Sequence, residues 1–263
     1  MPDVPSPNEL PELMFAMTTE ASGPSLSKYL AHKATDEQIR EFIIHRSAYQ
    51  SKEADPYNWA IPRLMPAAKA ALVEIQNDEY GAGHVDRMHQ ELYRKTLRSL
   101  DIDDSYGGLI DLLPAVSLAN GNLVSLFGLH RRYRAALCGH FAALEMTSSI
   151  PNRRYGDGLR RLGYGEETTD FYDEHVEADA VHEQLAVRNL CAGLVADEPD
   201  QLHNVIFGVA SYLALEKALG DYLFNEWAAQ RSSLRAGRIP SVHATDPLAR
   251  TVSLVNSPTE SQV

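Results

Sequence analysis

Cysteine is scarce. The 263 residues contain two, Cys138 and Cys191, far apart in the chain and outside any CxxC pair. That excludes a disulfide framework and a zinc–thiolate site, and it points to a reducing cytoplasm. Basic residues are outnumbered: 24 Lys+Arg face 36 Asp+Glu, for a net charge of −12. Nucleic acid and anionic membranes both need a basic face, so neither is an expected partner, and the Arg131–Arg132 pair does not reverse this. No apolar run approaches the ~20 residues of a bilayer span. The N-terminal MPDVPSPNELPEL has no basic stretch ahead of an apolar one, so it does not read as a secretory signal. Alternating β-branched runs with hairpin turns are missing, as are internal repeats and low-complexity tracts.

What is present is enough apolar residue, 44%, for a real core, in patterns of helical period. Residues 1–24, rich in Pro, Ser and Glu, read as a loose N-terminal arm. Residues 235–263, with Pro240, Pro247 and Pro258, read as a polar tail. Residues 25–234 form one body. Thr35 and Gln38 have capping-box spacing, followed by Ile39, Phe42, Ile43 and Arg46 at helical intervals. Breaks are expected at Asp55-Pro56 and Ile61-Pro62, with Pro66 opening the next helix. Helices over 67–80 and 84–99 are parted by Gly81-Ala82-Gly83. A long apolar helical stretch, 115–148, ends before Pro151, and helices over 154–162, 166–192 and 200–230 follow. The expected class is all-α, a helical bundle, in which metal sites are built from side chains on facing helices.

Ten His and 36 acids leave a His/carboxylate site as the open chemical option. In FYDEHVEADAVHEQ, His175, Asp179 and His182 stand at i, i+4 and i+7. At about 100° per residue they share one stripe of a helix. Two imidazoles and a carboxylate suit Fe, Mn or Zn; a solvated polar face is the competing reading. Glu145 sits late in the apolar GHFAALEMTSS, where a carboxylate is costly unless paired or metal-bound. The alternatives there are an exposed helix side or a salt bridge to Arg132 or Arg134. Glu79 and His89 would be about 15 Å apart along an unbroken helix. The two nearby Gly weaken the helix between them, so it can break and turn both inward, with His84 as a competing ligand. Glu53, in KEADPYNWAIPRL, closes a helix before a proline break and is unremarkable by itself. Together these are four carboxylates and three imidazoles, the supply of a two-metal carboxylate site. No Glu-x-x-His pair of the ferritin-like kind occurs; Asp179-x-x-His182 is the nearest analogue on its helix.

In Glu145, His175-x3-Asp179-x2-His182, KEADPYNWAIPRL and ALVEIQNDEYGAG, the sequence resembles the haem-oxygenase-like di-iron oxidases, iron-containing redox enzymes, in an actinobacterial branch. The resemblance runs from about Asp36 to Trp227. It implies a seven-helix bundle, and two Fe(II) ions held by Glu53, His89, Glu145, His175, Asp179 and His182. Glu79 occupies the place of an extra carboxylate found in members that oxygenate nitrogen, which tilts the expectation toward N-oxygenation. The family also implies a ligand-bearing helix that orders when metal binds, and the Gly81–Gly83 break is an independent reason to expect this. O₂ is the expected co-substrate, reduced to a peroxo species that attacks a small amine, amino acid or fatty acid. No catalytic group beyond the metal ligands is expected. Arg46, Tyr49, Tyr133 and Arg134 are candidates to anchor a substrate carboxylate. A reductase or other external electron donor and a homodimer are expectations of the same kind. Oxidative C–C cleavage, decarboxylation or desaturation by the same cofactor is the alternative, and Mn/Fe remains open beside Fe/Fe. A haem-binding or metal-free protein of the same fold is a second alternative, with His32 or His45 as the proximal ligand. A structural protein whose His and acids only form salt bridges is a third.

Overall fold

The computed structural model describes residues 7–19 and 24–235, and among them every regular element is helical. The α-helices are α1 (Leu10–Thr19), α2 (Leu26–His32), α3 (Asp36–Gln50), α4 (Pro66–Glu79), α5 (His89–Ser99), α6 (Ala115–Leu129), α7 (Arg134–Arg161), α8 (Glu166–Gln184), α9 (Ala192–Asp197) and α10 (Leu202–Ala228). Seven of them (α3 to α8 and α10) run eleven residues or more, the long helices of the expected bundle. No helix among the described residues is long and apolar enough to cross a membrane.

Local chemistry sets several boundaries. Thr35 accepts from the Gln38 backbone while the Gln38 side chain accepts from the Thr35 backbone, the capping box that starts α3. Pro66 opens α4, where a missing N–H is harmless. The proline-broken segment Asp55–Arg63 winds as a 3₁₀ helix. At the α7–α10 crossing, a Cβ on Gly139 would stand 2.0 Å from the Val205 carbonyl oxygen, and one on Gly208 2.0 Å from that of Ala136. Only glycine lets the two longest helices lie this close.

Four boundaries differ from the sequence reading. The helix expected over 84–99 begins only at His89, after a 3₁₀ turn at Val85–Arg87. The expected arm over 1–24 is partly folded: α1 buries Leu10 and Met14 completely in the core. Two apolar anchors one turn apart suffice once a neighbouring surface receives them. The 115–148 stretch divides at a 3₁₀ turn, Arg131–Tyr133, and α7 then continues through Pro151 to Arg161 rather than restarting at 154. An interior proline costs about 3 kcal/mol, but the helix beyond it packs on α2, where a Cβ on Gly158 would be 2.6 Å from the Leu30 carbonyl oxygen. The single helix expected over 166–192 is α8 followed by a π-helix, Leu185–Cys191, leading into α9. Of the polar tail, Arg235 is described, its N–H bonded to the Leu112 carbonyl at 2.9 Å; residues 236–263 lie outside the described residues.

Among the described residues the core has two apolar clusters. One gathers Leu72, Ile75, Phe141, Leu144, Leu190 and Val209; the other gathers Phe42, Tyr93, Leu97, Phe171, Tyr172 and Leu223. α4 and α7 contribute to the first, α5 and α8 to the second, and these four helices carry most of the candidate metal site.

Candidate metal centre

The break after α4 brings distant residues together. Gly81, Ala82 and Gly83 take φ of 63°, 51° and 86° in succession, all left-handed. The chain doubles back, and α5 begins at His89. His89 Nδ1 then lies 2.9 Å from Glu79 Oε2, both groups buried. His84 is exposed, so the structure brings His89 and not His84 to the cluster.

α8 supplies the stripe read from its spacing: His175, Asp179 and His182 are 3%, 1% and 1% exposed, which removes the solvated-face reading. His175 Nε2 is 3.6 Å from Glu53 Oε2. His182 Nδ1 is 3.4 Å from Glu145 Oε2 and 3.9 Å from Glu79 Oε1. Glu145 is buried and neither arginine reaches it: Arg134 pairs with Glu198, and Arg132 lies over the Tyr133 ring. Glu53 lies beyond the end of α3, in the turn before Asp55. All seven expected side chains are buried.

The far nitrogens of two imidazoles are fixed. His175 Nδ1 is 2.7 Å from the Phe171 carbonyl, so it donates and leaves Nε2 bare. His182 Nε2 is 3.2 Å from Asp78 Oδ2, leaving Nδ1 bare. Carbonyl and carboxylate partners of this kind orient metal-binding histidines and raise their basicity. Asp78 escaped the sequence reading, although its position next to Glu79 is a signal that could have found it.

Two overlapping groups have ligand atoms close enough to share an ion: Glu79, His89 and His175, and Glu79, Glu145 and His182. Glu79 belongs to both. Six buried atoms in this cluster make no well-aligned hydrogen bond, the close His89 Nδ1–Glu79 Oε2 pair included: Glu53 Oε2, Glu79 Oε2, His89 Nδ1, His175 Nε2, Asp179 Oδ2 and His182 Nδ1. Buried polar atoms are rarely left so, and bare nitrogens converging with carboxylate oxygens are what a divalent cation satisfies. The electrostatics agree. Burial pushes Asp179 well above the usual carboxylate range despite the nearby His175, and it raises Glu145 as well. Glu79 is opposed by burial, yet the three imidazoles hold it at about 2. For His182 burial acts downward, but Glu145, Glu79 and Asp78 carry it up to about 9.

A cavity of about 530 Å³ reaches the cluster at Glu53 and is lined by Arg46, Tyr49, Tyr155, Tyr172, Tyr212 and Glu216 among others. Arg46 and Tyr49, two of the expected substrate-anchor candidates, line this cavity, Arg46 paired with Glu216. Tyr133 and Arg134 do not: Tyr133 packs on Phe127 and Arg134 is engaged by Glu198. His45 is buried with Nδ1 on Ser117 and Nε2 on Ser233, and His32 is exposed, so neither offers a proximal haem ligand.

Fold and site together define an all-α bundle with a buried His/carboxylate cluster suited to metal. Residues 40–217 match the family model described as iron-containing redox enzyme, and the chain belongs to that family. It is 25% identical over 179 residues to nitrosourea synthase of Streptomyces achromogenes subsp. streptozoticus, covering 67% of this chain and 38% of that enzyme, so it spans well under half of that relative's length. The crystal structure of a CADD-like protein of unknown function from Nostoc punctiforme superposes with a TM-score of 0.63 at 14% identity, over 84% of this chain and 97% of that one. That likeness concerns the fold, a haem-oxygenase-like helical bundle.

Proposed function

We propose that the chain is an O₂-dependent non-haem di-iron oxygenase or oxidase acting on a small amine, amino acid or fatty acid, with nitrogen the favoured site of attack. The observation that carries the reading is the position of Glu79 in both ligand groups. A carboxylate common to both groups would serve two ions. Glu79, His89 and His175 would hold one iron, with Glu53 beside them, and Glu79, Glu145 and His182 would hold the other, with Asp179 completing the set. The iron pair supplies O₂ reduction coupled to substrate oxidation. The protein's own residues do the remainder. Glu53 stands where cavity and cluster meet, so a substrate in the cavity is presented to the iron nearest it. Arg46 and Tyr49, on the cavity wall, are polar groups a substrate meets there, Arg46 as an ion pair with Glu216. The tyrosines around it exclude water from the reacting end. Relatedness to a nitrosourea synthase supports nitrogen as the target, since a nitrosourea carries oxidised nitrogen. For a net oxygenation, an external electron donor such as a reductase balances the electrons.

The test is O₂ uptake by iron-reconstituted protein with a panel of amines, amino acids and fatty acids. Uptake with an amine-bearing substrate and formation of an N-oxygenated product are expected. Uptake only with fatty acids, releasing shortened or unsaturated products, would move the reading to C–C cleavage or desaturation. No substrate-dependent uptake by protein holding two irons overturns it.

A further inference from the structure

A hydrogen-bond chain leaves the cavity wall and returns to it. Arg46 donates to Glu216 through Nη1 at 2.8 Å and Nη2 at 2.5 Å. Asn120 Nδ2 is 3.2 Å from Glu216 Oε1, and Asn120 Oδ1 is 2.6 Å from His140 Nε2. His140 Nδ1 is 2.9 Å from the Tyr57 hydroxyl, which is 2.6 Å from that of Tyr49. Arg46, Glu216, Asn120 and Tyr49 line the cavity. Tyr57 and His140 are buried at 1% and 0% exposure, and the metal cluster uses neither.

The inventory of donors and acceptors fixes every direction in this chain. Both Glu216 oxygens accept from Arg46, so Asn120 turns its NH₂ to Glu216 and its carbonyl to His140. That carbonyl only accepts, so His140 carries its proton on Nε2. His140 is fully buried with no acid against its ring, and burial pushes it down to about 3. It is therefore neutral, and its bare Nδ1 accepts from Tyr57. The Tyr57 oxygen in turn accepts from Tyr49. The only proton of the Tyr49 hydroxyl thus points inward, leaving lone pairs for the cavity. A protonated His140 would reverse both tyrosines and turn the Tyr49 proton outward.

We propose that Tyr49 is a specificity-determining residue, an acceptor-only hydroxyl that selects ligands presenting an N–H donor on the Glu53 side of the cavity. Asn120 and His140 are positioning residues that fix its polarity. The inference rests on the cavity being the substrate site. The ligand class is a molecule with a nitrogen-bearing end that directs an N–H toward Tyr49. A site built around an unpaired acceptor rejects an isostere that lacks the donor far more strongly than an apolar pocket discriminates by shape.

The experiment is calorimetric titration of the full chain, with ferrous iron in excess under anaerobic conditions. The probes are adipic acid monoamide and 6-oxoheptanoate, neutral-ended acids of equal length that differ by NH₂ against CH₃. The wild type is expected to bind the amide about tenfold or more tightly than the ketone. In Tyr49→Phe and in Asn120→Leu the ratio falls toward one, through loss of amide affinity with ketone affinity retained, a pattern that a collapsed cavity does not produce. Equal affinities in the wild type overturn the inference and leave the cavity assignment standing. Binding of neither probe overturns the cavity assignment and the inference with it. Loss of the preference in Tyr49→Phe but not in Asn120→Leu overturns the positioning role.

Discussion

His182 is held from two sides, by Asp78 at one nitrogen and by Glu145 and Glu79 near the other. Replacing Asp78 removes the group that fixes its tautomer without touching the cluster. Asp78→Ala is expected to weaken iron binding about 10- to 100-fold; competition with a chelator measures it, and unchanged affinity would deny Asp78 this role. Residues on one helix were legible from spacing alone: His175, Asp179 and His182 follow from the helical period. Residues that meet across the fold were not. Nothing local in the sequence joins Tyr57 to His140, or Asn120 to Glu216, because their contacts depend on how α6, α7 and α10 cross. Tyr133 and Arg134 failed as anchors for the same reason, since their place was set by Phe127 and Glu198.

At the scale of elements, the Gly81–Gly83 break is what makes one site of Glu79 and His89. The two glycines are not equivalent. A Cβ at Gly81 would stand 2.6 Å from the Arg87 carbonyl carbon and 2.7 Å from the Met88 nitrogen, backbone atoms that lead directly into His89. At Gly83 no atom lies within 4 Å. Gly83→Ala should therefore cost only the left-handed strain, about 1 kcal/mol, and keep its iron. Gly81→Ala should cost several times more and lower iron content by displacing His89. Thermal denaturation and iron analysis of the two variants check this, and equal effects would contradict it. Breakers and caps were legible where their chemistry is local, as at Thr35, Pro66 and Gly81. Helix α1 and the run of α7 through Pro151 were not, because packing on other helices outweighed composition in one case and a proline in the other.

For the molecule as a whole, the cluster links stability to pH and metal. In the metal-free protein His182 sits at about 9 against an ordinary 6.5. A raised base stabilises the fold fully below its unfolded value, and the contribution is lost as pH rises through about 9. Asp179 and Glu145, raised chiefly by burial, act in the same direction, since ionising them costs more inside than in the open chain. Glu79, depressed from 4.5 to about 2, contributes above 4.5 and loses that contribution as pH falls toward 2. Metal-free protein should therefore melt at progressively lower temperature from pH 6.5 to 9. Iron takes the imidazoles neutral and offsets the carboxylate charge, so the loaded protein should melt higher and vary less over that range. Scanning calorimetry at several pH values measures both, and parallel declines would contradict the link.

The central proposal is one buried site for two iron ions that would share Glu79. Anaerobic titration with ferrous iron, followed by removal of excess metal and quantitation per chain, tests it most directly. The proposed function predicts about two irons per wild-type chain, and one or fewer in a folded Glu79→Ala variant. A folded wild-type chain that retains one iron or none, or a Glu79→Ala variant that retains two, would contradict it.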